Sequence, residues 1–146
     1  MKLYILIGLP GSGKSTYAKK LEEEGAVVHS SDEIRLDLFG SYKTTNDRQV
    51  FKELRKRIVV SLKEGKDVVC DATNVTQSKR SSFLNEIHDI DCEKIAIIVN
   101  RDVKTCLAQN KLRPKEKQVP AVAIYTSAKS FVYPTFEEGF DIIKEV

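Results

Sequence analysis

A glycine-rich octapeptide, set between an apolar hexapeptide and a helix-forming stretch, constrains this chain more than any other feature. Lys2-Leu3-Tyr4-Ile5-Leu6-Ile7 runs directly into Gly8-Leu9-Pro10-Gly11-Ser12-Gly13-Lys14-Ser15, which matches G-x-x-x-x-G-K-[ST] at every fixed position. From average residue usage, a chain of 146 residues carries this pattern by chance roughly once in 200. The residue types follow from what the loop must do. Glycines at 8, 11 and 13 let the backbone wrap until successive N–H groups point into one anion-binding nest. A helix opening at Lys14 aims its positive end at the same point. An exposed glycine turn explains neither the lysine nor the hydroxyl that follow it. The motif therefore demands strand, loop and helix in that order.

The rest of the chain repeats that alternation. Apolar stretches at Lys2–Ile7, Ala26–His29, Asp67–Cys70, Lys94–Val99 and Phe140–Ile143 read as strands buried on both faces. Helical stretches separate them. Lys14–Glu24 closes at Gly25, and Asp47–Glu64 carries Val50, Phe51, Leu54, Ile58 and Leu62 at helical spacing before Gly65. Gln77–Asp89, Asp102–Leu112 and Ala121–Val132 complete the set, with Pro120 suited to a first turn. The expected architecture is a single α/β domain over residues 1–146. It is a P-loop three-layer α/β/α sandwich on a parallel sheet of about five strands, with a small helical lid at about 110–120. Ligands of such sheets bind at the carboxyl ends of the strands.

Composition narrows the alternatives. With 41% hydrophobic and 31% charged residues the chain is ordinary globular material. The apolar run Ile95–Val99 is five residues, far short of the ~18 that span a bilayer. Cys70, Cys92 and Cys106 are odd in number and lack C-x-x-C spacing, so neither a disulfide framework nor a zinc site is expected. These features suit a cytoplasmic protein with no membrane contact, and nothing in them implies a stable protein partner. The net charge of +3 is carried within residues 111–117, by Lys111, Arg113, Lys115 and Lys117 against Glu116. A second basic cluster, Lys52, Arg55, Lys56 and Arg57 against Glu53, falls on a helix, where a solvated face accounts for it as readily as a binding face.

The phosphate loop implies ATP. Gly8, Pro10, Gly11, Ser12 and Gly13 form the cradle, and Lys14 supplies a cation for the β- and γ-phosphates. Ser15 ligates Mg²⁺, and Thr16 adds a contact to the α-phosphate. What the nucleotide is used for depends on groups elsewhere. Ser30-Ser31-Asp32-Glu33-Ile34-Arg35 follows the second strand, at the sheet edge beside the γ-phosphate. A kinase needs a carboxylate there to take the proton of an acceptor hydroxyl, and Asp32 is the candidate. Arg35, one turn further on, could hold an anionic part of the acceptor. The competing account is that Ser31 or Asp32 caps the helix. Asp71 ends the third strand at the Walker B position, where a carboxylate holds Mg²⁺ or a water bound to it. Thr73 and Asn74 are expected to face the same cleft. Residues 110–120 are basic and proline-flanked, as suits a lid that delivers Arg113 to the transferring phosphoryl group. His29 is expected to pack, His88 to lie at the surface, and Tyr125, Phe131, Tyr133 and Arg80 are minor candidates for nucleic-acid contact.

With these residues in hand, the chain resembles the 5′-polynucleotide kinase family, within the wider AAA-like group of small P-loop phosphotransferases. The resemblance spans nearly the full length: Gly8–Ser15, the S-x-D-x-x-R stretch from Ser30 to Arg35, Asp71-Ala72-Thr73-Asn74, Asn110-x-x-Arg113 and Pro134-Thr135-Phe136-Glu137-Glu138-Gly139-Phe140. It implies that Asp32 is the general base, that Arg35 holds the acceptor's 3′ phosphate, and that Arg113 is a lid arginine on the ATP phosphates. Some family members write D-T-N where this chain inserts Ala72, and many carry a fused phosphatase or ligase domain, for which no room is expected here. The implied activity is ATP- and Mg²⁺-dependent transfer to the 5′-OH of DNA or RNA. P-loop and lid are common to the wider group, so a small metabolite, a nucleotide or charged tRNA stays open as acceptor. So does a nucleotide-dependent switch without phosphotransfer, although a switch has no need of Asp32.

Overall fold

A computed structural model describes residues 1–43 and 46–146. Five strands form one sheet: β1 (Lys2–Ile7), β2 (Val27–Ser30), β3 (Val68–Asp71), β4 (Glu93–Ile98) and β5 (Ile142–Glu145). Their order across the sheet is β2-β3-β1-β4-β5, and every pairing is parallel. The helices are α1 (Lys14–Glu23), α2 (Ser31–Phe39), α3 (Asp47–Lys63), α4 (Gln77–Glu86), α5 (Val103–Leu112) and α6 (Ala121–Ser130).

The continuous apolar strands are explained by burial on both faces. Leu3, Ile5 and Ile7 of β1, with Val68 and Cys70 of β3 and Ala96 and Ile98 of β4, point to one side. There they meet Leu54, Ile58 and Leu62 of α3 and Phe83 and Leu84 of α4. The residues between them, Leu6, Val69, Ile95 and Ile97, point the other way and pack on Ala18 and Leu21 of α1. A third cluster joins Leu9 of the phosphate loop to Val75, Cys106 and Ile124, so the loop is anchored to α5 and α6. This is the expected layered α/β architecture.

Several boundaries differ from the periodicity reading, each for a local reason. Strand β2 begins at Val27, since the Ala26 N–H still closes the end of α1 on the Leu21 carbonyl. Strand β5 begins at Ile142 because Asp141 spends its N–H on the Lys94 carbonyl and its carboxylate on the Lys94 N–H. Asp102 is the cap of α5 rather than its first residue, its carboxylate accepting from the Thr105 N–H at 2.7 Å. Pro120 likewise stands one place before α6 rather than in its first turn. Helix α4 ends at Glu86, three residues early, where Ile87 turns into the core.

Arg80 is the clearest correction. A minor candidate for reaching a nucleic-acid phosphate, it is instead 1% exposed. Its guanidinium donates to both carboxylate oxygens of Glu138, at 2.7 and 3.3 Å, and to the Asn74 carbonyl at 2.9 Å. Glu138 in turn accepts from the Thr135 N–H at 2.8 Å. The pair ties the C-terminal segment to the loop after β3. Removing one partner of such a pair leaves a buried charge uncompensated, so Arg80→Met should cost about 3–5 kcal/mol in urea unfolding. The double variant Arg80→Met/Glu138→Met should recover most of that loss. A double variant as unstable as the single one would mean that the Asn74 contact, not the ion pair, carries the effect.

Candidate active site

The sheet order puts the ends of β1 and β3 side by side where the connections diverge, the place where open α/β sheets hold ligands. The phosphate loop leaves β1 here. Its Gly8 N–H donates to the Thr73 carbonyl at 3.0 Å, which binds the loop to the segment after β3. Gly11 takes a φ of 82°, and a Cβ there would stand 2.5 Å from the Cys106 carbonyl oxygen, so a side chain is excluded by conformation and by contact. Gly13, at φ 95°, turns the chain into α1.

Lys14 is folded into this loop, its Nζ donating to the Leu9 carbonyl at 2.9 Å. Burial lowers its pKa to about 8, opposed first by the charge of Asp71. Arg113 lowers it further and Asp32 opposes, so the phosphate loop, the β3 carboxylate, Arg113 and the α2 carboxylate share one electrostatic neighbourhood. Burial likewise raises the Asp71 pKa, against the pull of Lys14 and a hydrogen bond donated by the Ser15 hydroxyl at 3.0 Å.

These residues fit a magnesium nucleotide. Ser12 Oγ is buried with no hydrogen-bond partner among the described residues, an orphan that a phosphate oxygen would satisfy. Ser15 and Asp71 already lie together as a hydroxyl and a carboxylate oxygen. No cluster of three or more His, Cys, Asp or Glu among the described residues could cage a metal.

Register brings the start of α2 to the same sheet edge. Ser30 pairs with Asp71 across β2 and β3, and the next residue opens α2 beside that carboxylate. Neither Ser31 nor Asp32 is the helix cap. That place falls to Ser30, whose side chain makes no cap bond. Asp32 instead accepts from Arg35 Nη1 at 3.0 Å, and its carboxylate remains 47% exposed. Arg35 also donates to Asp47 at 3.1 Å and lies over the Phe51 ring at 5.9 Å. Asp47 and Phe51 carry no sequence signal for such a role beyond their place at the start of α3.

Asp47, Phe51, Thr73, Asn74 and Lys79 line a cavity of about 290 Å³. The inserted Ala72 is buried, so the extra residue is taken into the core. Asn74 adopts a left-handed φ of 49° and spends its amide N–H groups on the Leu6 and Ala72 carbonyls at 2.8 and 3.3 Å. It braces the end of β1, while Thr73 opens to the cavity.

The segment 110–120, expected as a lid, is pinned at its base. Asn110 donates to the Val119 carbonyl at 2.8 Å and accepts from the Val119 N–H at 3.0 Å, and Gln118 donates to the Arg113 carbonyl at 2.9 Å. Between these pins lies a 3₁₀ turn, Lys115–Lys117. Lys117 reaches across to the Tyr42 ring at 5.3 Å, so this segment touches the loop that follows α2. Arg113 pairs with no carboxylate among the described residues.

The minor candidates resolve simply. His29 is half-buried against Ser61 at 2.8 Å, and His88 is exposed. Phe131 is half-buried against the core and meets Tyr133 edge to face at 5.1 Å, while Tyr125 and Tyr133 are both exposed. No helix among the described residues is long and apolar enough to cross a membrane.

Fold and phosphate loop together define a P-loop protein of the parallel α/β class. The AAA domain family matches residues 3–134, and the chain belongs to that family. It is 28% identical over 148 residues to a bifunctional polynucleotide phosphatase/kinase of Schizosaccharomyces pombe, covering 99% of this chain and 33% of that protein. An L-seryl-tRNA(Sec) kinase of Methanococcus maripaludis is 25% identical over 146 residues, covering 96% of this chain and 56% of that protein. A chain of the solved Pnkp1/Rnl/Hen1 RNA repair complex superposes with a TM-score of 0.79 at 25% identity, over 96% of this chain and 46% of that one. The present chain is thus similar to polynucleotide kinases, and spans about a third of the length of the bifunctional relative.

Proposed function

We propose that residues 1–146 form a single kinase domain, with residues 110–120 as its lid, that transfers the ATP γ-phosphate to the 5′-hydroxyl of DNA or RNA. One observation carries the reading: Asp32, half exposed and oriented by Arg35, lies in the electrostatic neighbourhood of Lys14. A nucleotide switch has no use for an orienting arginine and a carboxylate at that edge. The polynucleotide phosphatase/kinase relative and the RNA repair structure support the choice of acceptor.

In this reading Lys14 and the loop amides hold the β- and γ-phosphates, while Ser15 and Asp71 hold Mg²⁺. When bound, that ion would neutralise charge on the β- and γ-phosphates. Asp32 takes the proton of the acceptor hydroxyl as its oxygen attacks phosphorus and the bond to the ADP oxygen breaks. Arg113 meets the charge that develops on the transferring group, and Arg35 exchanges part of its present pairing for the acceptor's 3′ phosphate.

Transfer from γ-labelled ATP to matched acceptors tests this directly. A nucleoside 3′-phosphate should be phosphorylated better than the bare nucleoside. Arg35→Ala should lower kcat/KM for the former by roughly 10–150-fold, the worth of one charge-assisted contact, and hardly change the latter. Arg113→Ala should slow both alike. Equal wild-type rates on the two acceptors would remove the polynucleotide reading. Transfer to small metabolites or to charged tRNA is the second reading, which the seryl-tRNA kinase relative favours.

A further inference from the structure

The second basic cluster of the sequence is not absorbed by this site. On α3, Arg48, Lys52, Arg55 and Lys56 form one stripe and line an open groove of about 820 Å³, floored by Val59 and Val60. The groove leads out of the 290 Å³ cavity, since Arg48 and Arg55 line both. The cavity itself holds the half-buried Phe51, with Lys79 5.1 Å from its ring.

A solvated helix face would look different. On the neighbouring stripe of α3 the cation is matched: Arg57 pairs with Glu53 at 3.1 Å and with Asp37 at 2.8 Å. In the groove only Arg55 has a carboxylate, Glu86 at 3.1 Å. Arg48, Lys52 and Lys56 pair with none among the described residues. Three unpaired cations at 48, 52 and 56 recur at every helical turn and cover about 12 Å of helix axis. Unpaired cations in a row, leading from an aromatic platform, match the repeating anions and flat bases of a single strand.

We infer that this groove is the path of a single-stranded nucleic acid: the nucleotides 3′ of the acceptor leave the cavity past Phe51 and lay their phosphates along Arg48, Lys52 and Lys56. The inference rests on the proposed 5′-hydroxyl kinase reading for its direction. Arg35, expected on the acceptor's 3′ phosphate, is tied to Asp47, the first residue of α3. From there the groove is the continuous basic route.

The test uses the whole chain and a fluorescent 5′-OH single strand of about eight nucleotides, a length within one ordinary binding site. Anisotropy titrations compare wild type with Lys52→Gln/Lys56→Gln, exposed changes that leave the apolar face of α3 intact. The variant should bind about tenfold more weakly. Its plot of log K against log salt should be shallower by roughly 1.4, the value for two lost phosphate contacts on a single strand. In transfer assays, the ratio of kcat/KM for the octanucleotide over that for a nucleoside 3′-phosphate should fall by a similar factor. Unchanged affinity and slope in the variant overturn the groove, even while both acceptors are phosphorylated and the kinase reading stands. Should no 5′-OH nucleotide be phosphorylated, the kinase reading fails, but the titration still decides: salt-dependent binding weakened in the variant retains the groove, and no binding removes it. Preference for phosphatidylserine vesicles over the oligonucleotide would assign the stripe to a membrane surface and likewise overturn it.

Discussion

Asp32→Asn is expected to lower phosphotransfer by ~10²–10⁴-fold while leaving ATP affinity nearly unchanged. Asparagine keeps the size of the side chain and can still accept a hydrogen bond from Arg35, but it cannot take a proton. The expected loss therefore appears in kcat for every acceptor, whereas a binding defect would appear in KM. The variant should stay folded. Asp32 is not the cap of α2, and its ion pair with Arg35 at 3.0 Å involves a carboxylate that is nearly half exposed. A pair of that kind contributes about 1 kcal/mol or less. Single-turnover transfer and equilibrium binding of a fluorescent ATP analogue separate the two effects. Normal transfer with an earlier melting transition would reduce Asp32 to a structural partner of Arg35 and remove the acceptor base from the proposal.

Much of this geometry was legible before any fold was drawn, because local pattern and global topology agree. An apolar strand feeding a glycine loop and a helix leaves little choice for Gly8–Ser15. An aspartate after Val68-Val69-Cys70 has to emerge at the same sheet edge. What the pattern hides are pairings across long separations. Arg80 and Glu138 lie 58 residues apart and meet only because α4 and the segment before β5 pack on the same layer. On a helix read in isolation, Arg80 looked like a cation free to reach outward. The capture of Arg35 by Asp47 across 12 residues, and the reach of Lys117 to Tyr42, depend on how loops cross the sheet edge, which periodicity does not encode. Asn74 illustrates a third case. Its motif position suggests a cleft residue, and it does line the cavity, but its left-handed backbone also turns the amide back onto the Leu6 carbonyl, a bracing contact that the motif does not encode.

Lys14→Met should do two opposite things, and their combination marks the residue as functional. Transfer should fall by on the order of 10²-fold or more, since the cation that meets the β- and γ-phosphates is gone. Stability without nucleotide should rise at neutral pH. A lysine whose pKa is lowered from 10.5 to about 8 by burial carries its charge at a cost on the order of 3 kcal/mol. Below about pH 8 the group is protonated in both the folded and the unfolded chain, so the whole cost is present. Between about 8 and 10.5 the unfolded chain binds the proton and the folded one does not, so wild-type stability climbs with pH relative to the variant. The advantage of Lys14→Met in urea unfolding should accordingly be largest at pH 7 and shrink to nothing near 10.5. Saturating ATP·Mg²⁺ should reverse the order at pH 7, because wild type gains the binding free energy of the nucleotide and the variant gains less. A variant that keeps turnover would end the assignment of Lys14 to the nucleotide. One that loses turnover and is also less stable at every pH would show that the lysine's bond to the Leu9 carbonyl at 2.9 Å, not its charge, is what the loop depends on.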